Sequence, residues 1–532
     1  MIWLLRDIDF LSTLLGAANL SFEALLLGGV LYLLVIARPA GAAATVQFHC
    51  LRGIRWAALS LIVAELLGVV LSSVSLLGDS GLPFRDLLDT PFFLAGLGAA
   101  LITLLLLLCA RIASRAAFAA MVPLGLLLLI ATVSTSHATG QMDHRLSLAL
   151  ATAGHLVGTA AWIGAMPFLI ISLGRAESAE EARVMARRYS AMAMFSVALL
   201  LLAGLYMAWF YVGSWQGLYG TNYGVLLLAK IYLLAVMLLM GAGNWSLVRQ
   251  LNSNPQPLLV RIRRFAEAEI GLGFTAILAA ASMSAQPPAA DVSDQVPLAM
   301  IVARMHPEIP RMTSPAASQL TPPTSIETAV RENEFQTIGA SDLTDRKWSE
   351  YNHHWAGLIV LVAGLLAFAS RLRAMRWARF WPLSFAGLSL FIFLRADPEN
   401  WPLGPRPFWA SLSAPDVLQH RAAGLLILCF AGFECAVQAG KLRARWASMI
   451  FPAMCALGAV ILLTHNHAAA DTHEDLLASL SHTPIALLGA TAGWCRWLEL
   501  RLPPSRASKI AGYVWPLFLC AAGLVLLNYR EI

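Results

Sequence analysis

The residues of this 532-residue chain best placed to do chemistry are its histidines, of which there are twelve. His137, His144, His155, His306, His353, His354, His420, His465, His467, His473 and His482 fall in loops or helix ends on one side of the apolar segments, and His49 alone falls on the other. Imidazole tolerates a membrane interface, being half apolar, but that explains interfacial histidines and not a one-sided set. Imidazole is also the commonest metal ligand. The seven cysteines form no CxxC pair and no even framework, which argues against a thiolate zinc site or a disulfide scaffold. Methionines lie near several of the histidines, Met142 before His144, Met305 beside His306 and Met283 at an outer helix end. Thioether favours Cu(I) and imidazole accepts copper or zinc, so the donor set suits copper, with zinc or the iron of a haem b as alternatives.

Helical spacing sharpens some of these positions. His155 and Trp162 are seven residues apart, two turns, and share a face with Gly158 and Thr159 between them. Small residues there allow close helix approach, and a histidine inside a membrane is costly without a partner, which makes His155 the leading ligand candidate. His353 and His354 are adjacent and diverge by about 100° on a helix, so one of them serves any given site. His465, His467 and His473 surround Asp471, Glu474 and Asp475, a group able to attract cations. Glu23, Glu65, Lys230 and Glu434 fall within apolar helices. The two glutamates of the first pair of helices sit near mid-membrane, where a cation or proton path and a structural carboxyl are equal readings. Lys230 lies near an outer end, within reach of the interface.

The elements that must hold these groups are membrane helices. Hydrophobic residues make up 58% of the chain and charged residues 13%, about half the charged fraction of a soluble domain. A mean hydropathy of +0.68 over the whole length indicates an all-α polytopic helix bundle. Fourteen stretches reach or approach the roughly 20 residues needed to cross a bilayer. Of the 37 basic residues, 24 lie on alternate loops, which marks those loops as cytoplasmic and both termini as periplasmic. The net charge of +6 is then a topology signal and not a nucleic-acid footprint. The first apolar run lacks a small-residue cleavage site and reads as a retained helix. The expected organisation is an eight-helix domain over residues 1–284, a Pro-rich periplasmic linker over 285–350 and a six-helix domain over 351–532. The second domain resembles the first in part. His137 to His144 followed by His155 and Trp162 is similar to His465 to His473 followed by His482 and Trp494.

Ser136-His137-Ala138, the run from His155 to Trp162-Ile-Gly164, Leu-Leu-Leu-Ala-Lys230-Ile-Tyr-Leu with Gly241 and Asn244, and Arg263-Arg264 with Glu269 occur in one order along residues 1–290. Together they resemble the copper resistance protein D (CopD) family of bacterial inner-membrane proteins. The second half, with Tyr-Asn-His353-His354-Trp355 and Thr-His465-Asn-His467-Ala, resembles the extension of longer members and, more faintly, membrane copper-assembly proteins of cytochrome oxidase. The resemblance implies copper handling at the inner membrane, commonly uptake from the periplasm, with His137, His155 and Trp162 at motif positions. Glu23, Glu65, Trp162 and Lys230 would line the path. No soluble copper-binding domain is fused to the outer side, so a separate periplasmic copper-binding protein is an expected partner. A haem-bearing electron-transfer protein and a copper-delivery factor for a membrane oxidase are the alternatives. No HExxH, GxSxG or P-loop is present, and the expected protein is not an enzyme.

Overall fold

The computed structural model describes residues 8–79, 84–140, 143–251, 255–315, 335–412, 415–444, 446–464 and 472–530. Among them no strand occurs, and the structure is helical throughout. Among the described residues, twelve helices are long and apolar enough to cross a membrane. Of the other two expected segments, 448–464 is a shorter apolar helix, Ala447–Leu463, and 476–495 lies within the 30-residue helix Thr472–Arg501, part of whose first turns lies outside the described residues.

The chain divides into two compact units, Met1–Gln295 with 463–468, and Val296–Leu462 with Ala469–Ile532. In the first unit the principal helices are α1 (Ile8–Leu31), α2 (Ala44–Asp79), α3 (Pro91–Ile112), α4 (Arg115–Ser134), α5 (Arg145–Thr159), α6 (Met166–Arg175), α7 (Ala179–Val212), α8 (Asn222–Arg249) and α9 (Pro255–Ser284). His49, expected in a loop, lies within α2, whose helix begins eleven residues before the expected 55. Two widened π-turns interrupt this unit, Tyr32–Ala37 after α1 and Ala160–Gly164 between α5 and α6. Such turns carry one extra residue and recur at functional sites.

The spans Leu11–Ala37 and Arg145–Arg175 are the most enclosed of this unit, 61% and 67% buried, so the helices bearing Glu23 and His155 are its centre. Glycine permits their crossing. A Cβ on Gly28 would meet the Ala160 oxygen at 2.3 Å, and one on Gly164 would meet the Ala24 oxygen at 1.8 Å. α5 also packs closely along α7, with Gly158 facing the Ser196 carbonyl and Gly204 facing the His155 ring. Small residues at such positions are what let membrane helices approach.

The second unit holds α10 (Phe335–Ala369), α11 (Leu383–Arg395), α12 (Pro415–Gln438), α13 (Ile450–Thr464), α14 (Thr472–Arg501) and α15 (Arg506–Leu527). α10 begins well before the expected 353, so the proline-rich stretch ends in helix. No proline lies between Pro323 and Pro382, and the helix Phe335–Ala369 falls within that span. Its earlier part is anchored too: Trp355 Nε1 donates to the Met312 carbonyl at 3.1 Å and Asn528 Nδ2 to the Met305 carbonyl at 3.1 Å. At the other end Glu499 joins Arg371, Arg496 and the Trp515 indole, tying α10, α14 and α15 together.

Candidate functional site

Beginning at the end of α5 that bears His144, a series of soft donors runs along the seam between α5 and α7. His144 caps α5 in a left-handed conformation (φ 64°) and tilts over Phe210 at 4.8 Å. Two turns further along α5, Thr152 Oγ1 lies 3.4 Å from the Met207 sulfur. One turn beyond, the His155 ring faces Gly204. His144 and His155 are eleven residues apart, about 16 Å along the helix. Met207 therefore stands between two imidazoles, a thioether placed for Cu(I). Nothing in the sequence marked it, because it is one methionine in an apolar helix.

His155 is the distinctive member. Its residue surface is half-buried; the Leu200 backbone lies within reach of the ring, while Nδ1 is fully enclosed and has no hydrogen-bond partner among the described residues. A buried acceptor left unpaired costs about 1–3 kcal/mol. Lys230 approaches closely enough for its charge to be felt at the ring, and it makes no ion pair among the described residues. His137 stands apart from this seam. It is exposed, and its Nε2 contacts the Ser284 carbonyl at 2.9 Å.

Further along the π-turn, Trp162 is buried (3% exposed), its carbonyl accepts from the Tyr189 hydroxyl at 2.7 Å, and its side chain reaches the Glu269 carboxyl. Glu269 also accepts from Asn244 Nδ2. Tyr189, Asn244 and Glu269 form a buried polar knot around Trp162 that residue types alone did not assemble. Glu23 is 5% exposed and accepts from Thr132 Oγ1 at 2.9 Å, with Glu65 near enough for its charge to act there. Beside them, the Asn19 Oδ1 is buried and unpaired among the described residues.

The second unit treats its histidines differently. His354 accepts at Nδ1 from the Arg311 backbone N–H at 2.7 Å, so Nε2 carries the proton and donates to the Tyr529 carbonyl at 2.8 Å. Both nitrogens are taken, and in this arrangement His354 has no lone pair for a metal. His353 donates Nδ1–H to the Ser349 carbonyl at 2.8 Å, stacks on Tyr529 at 3.8 Å and lies 6.0 Å from the His482 ring. His420 Nδ1 pairs with Asp397 Oδ1 at 2.8 Å. His353 and His482 are thus brought together, while His354 faces other partners. His465, His467, Met142 and the His473 side chain lie outside the described residues. Among the described residues no three His, Cys, Asp or Glu side chains converge into a metal cage.

Fold and site together define a polytopic helical membrane protein with a seam of imidazole and thioether donors. Residues 183–283, spanning most of α7 through α9, match the family model of copper resistance protein D. It is also similar to copper transport protein CutJ of Bacillus subtilis (strain 168), 29% identical over 164 residues, which cover 30% of this chain and 29% of that relative. No solved structure matches it. The protein is therefore a polytopic helical membrane protein with a segment similar to copper resistance protein D. The family segment contains Gly204, Met207, Lys230, Asn244 and Glu269, the walls facing His155 and Trp162, and not those two residues themselves.

Proposed function

We propose that the protein takes copper on the face bearing His144 and relays it inward along the α5–α7 seam, by way of Met207, to His155. The observation carrying this reading is the enclosed, unpartnered Nδ1 of His155. An ion leaving water needs its hydration replaced stepwise by protein ligands, and an imidazole lone pair with no protein partner is a ligand waiting in place. Lys230 beside it keeps the site weak, because like charge opposes a resident cation. A weak site passes its ion on, as a relay requires and a store does not. Glu23, Glu65 and Asn19 offer harder oxygen donors deeper in the unit. Only metal–ligand bonds exchange in this relay, and no covalent bond of a substrate changes, so the reading is one of transport. The basic loops orient the path from periplasm to cytoplasm across the inner membrane, with a periplasmic copper-binding protein as the supplier.

Cells producing the protein should gain cytoplasmic copper and copper sensitivity over cells producing His155→Ala at equal abundance. Unchanged cytoplasmic copper, with copper still bound by the purified wild type, would reject transport. It would favour delivery to a partner from the second unit, where His353 and His482 face one another.

A further inference from the structure

At the opposite end of the first unit, a cleft of about 510 Å³ is lined by His49, Arg52, Gly53, Trp56, Ile170, Ile171, Gly174, Arg175 and Arg263. Three guanidinium groups from three different helices or helix ends converge there, and among the described residues none of them has an acidic partner. Arg263 Nε is enclosed and without a hydrogen-bond partner among those residues. Acids do lie close by, but they are engaged elsewhere: Glu181 accepts from the Ala43 and Glu177 backbone N–H groups, and Glu177 is 3.4 Å from Thr45 Oγ1. Gly174 makes room for the arrangement, since a Cβ there would stand 3.2 Å from Arg263 Nη2.

Like charges gathered without counter-charge repel one another, and the cleft is stable with an anion inside it. Guanidinium groups match phosphate oxygens in a bidentate fork. The remaining wall is apolar: Ile170, Ile171 and Trp56, a residue that is 62% exposed. Tryptophan favours the headgroup level of a bilayer, and basic pockets between membrane helices on the cytoplasmic side receive phospholipid headgroups. We propose that this cleft binds the phosphate of an anionic phospholipid, with Arg52, Arg175 and Arg263 around the headgroup and Trp56 and the isoleucines along its apolar part. The site is independent of the copper reading and lies at the other end of the unit from His144.

The full chain, purified in detergent and stripped of lipid, is titrated with phosphatidylglycerol, phosphatidylcholine or inorganic phosphate while thermal unfolding and retained lipid by native mass spectrometry are recorded. Phosphatidylglycerol should stabilise the protein and be retained, and phosphatidylcholine should not. The double variant Arg52→Gln/Arg175→Gln should weaken this on the order of tenfold, and Gly174→Leu, which fills the mouth, should do the same. Arg52, Gly174 and Arg175 are all exposed, so these variants leave folding intact. Equal retention of phosphatidylglycerol by wild type and both variants would overturn the proposal. Equal stabilisation by phosphatidylcholine, or by inorganic phosphate alone, would overturn the lipid assignment.

Discussion

His155 and His354 are both enclosed imidazoles on membrane helices, and the two units deal with them in opposite ways. His354 is saturated: one backbone N–H donates to it, and it donates to one backbone carbonyl. Those partners come from 43 residues before it and 175 residues after it, so the side chain acts as a staple holding two chain segments against α10. His155 keeps an open nitrogen, set against a glycine. A saturated histidine adds to stability and is closed to metals; an unsaturated one spends stability and stays open to them. Counting histidines on one side of a membrane does not separate the two kinds.

The contrast can be broken most visibly at His354. His354→Ala strands the Arg311 N–H and the Tyr529 carbonyl, and should cost about 2–4 kcal/mol. A thermal melt of the purified protein should drop sharply, while copper bound per folded molecule stays unchanged; copper loss in the folded fraction would give His354 a ligand's role. His155→Leu should do the reverse, lowering Cu(I) affinity by roughly tenfold, the value of about 1.4 kcal/mol, with a melting temperature equal to or above the wild type. A collapse in stability would show that Nδ1 was serving the fold. Met207→Leu conserves volume and should cost under about 1.5 kcal/mol in stability. It should slow Cu(I) loading several-fold yet leave Cu(II) binding alone, because only the soft ion values the thioether. The smallest effect is expected from Gly204→Ala, whose Cβ would meet the His155 ring at ordinary contact distance, 3.6 Å. A small change in copper exchange rate with an unchanged melt would confirm that the ring and α7 touch where the seam is drawn; no change in exchange would place the route elsewhere.

Most of the membrane architecture was legible because a bilayer imposes a length on apolar runs, and twelve of the fourteen expected segments meet it. Of the other two, 448–464 forms a shorter apolar helix and 476–495 lies partly outside the described residues. His155 was legible as a candidate because seven-residue spacing joins it to Trp162. Met207 was not, since a thioether in an apolar helix looks like packing. The knot of Tyr189, Asn244 and Glu269 around Trp162 depends on contacts between residues 25 or more positions apart, which periodicity does not report. The π-turn at Ala160–Gly164 left no pattern either: one extra residue in a helix changes which face each later side chain occupies without altering composition. The two halves also differ where they looked alike. His155 precedes a π-turn and Trp162 lies inside it, whereas His482 and Trp494 lie on one continuous α-helix.

The crossing of α1 over that π-turn has a mechanical meaning. At Gly28 and Gly164 backbone rests on backbone, with no side chain between them to bend, swing or compress. Such a contact would resist sliding, since an axial step drives a neighbouring residue's Cβ into a carbonyl, and any relative motion of the two helices would have to turn about it. Strokes of the helices on either side must then be levers about this point, largest at the membrane faces and vanishing at the crossing. The glutamate on α1 and the tryptophan of the π-turn, each within a few residues of the fulcrum, are the groups that would hold still while the ends of their helices move.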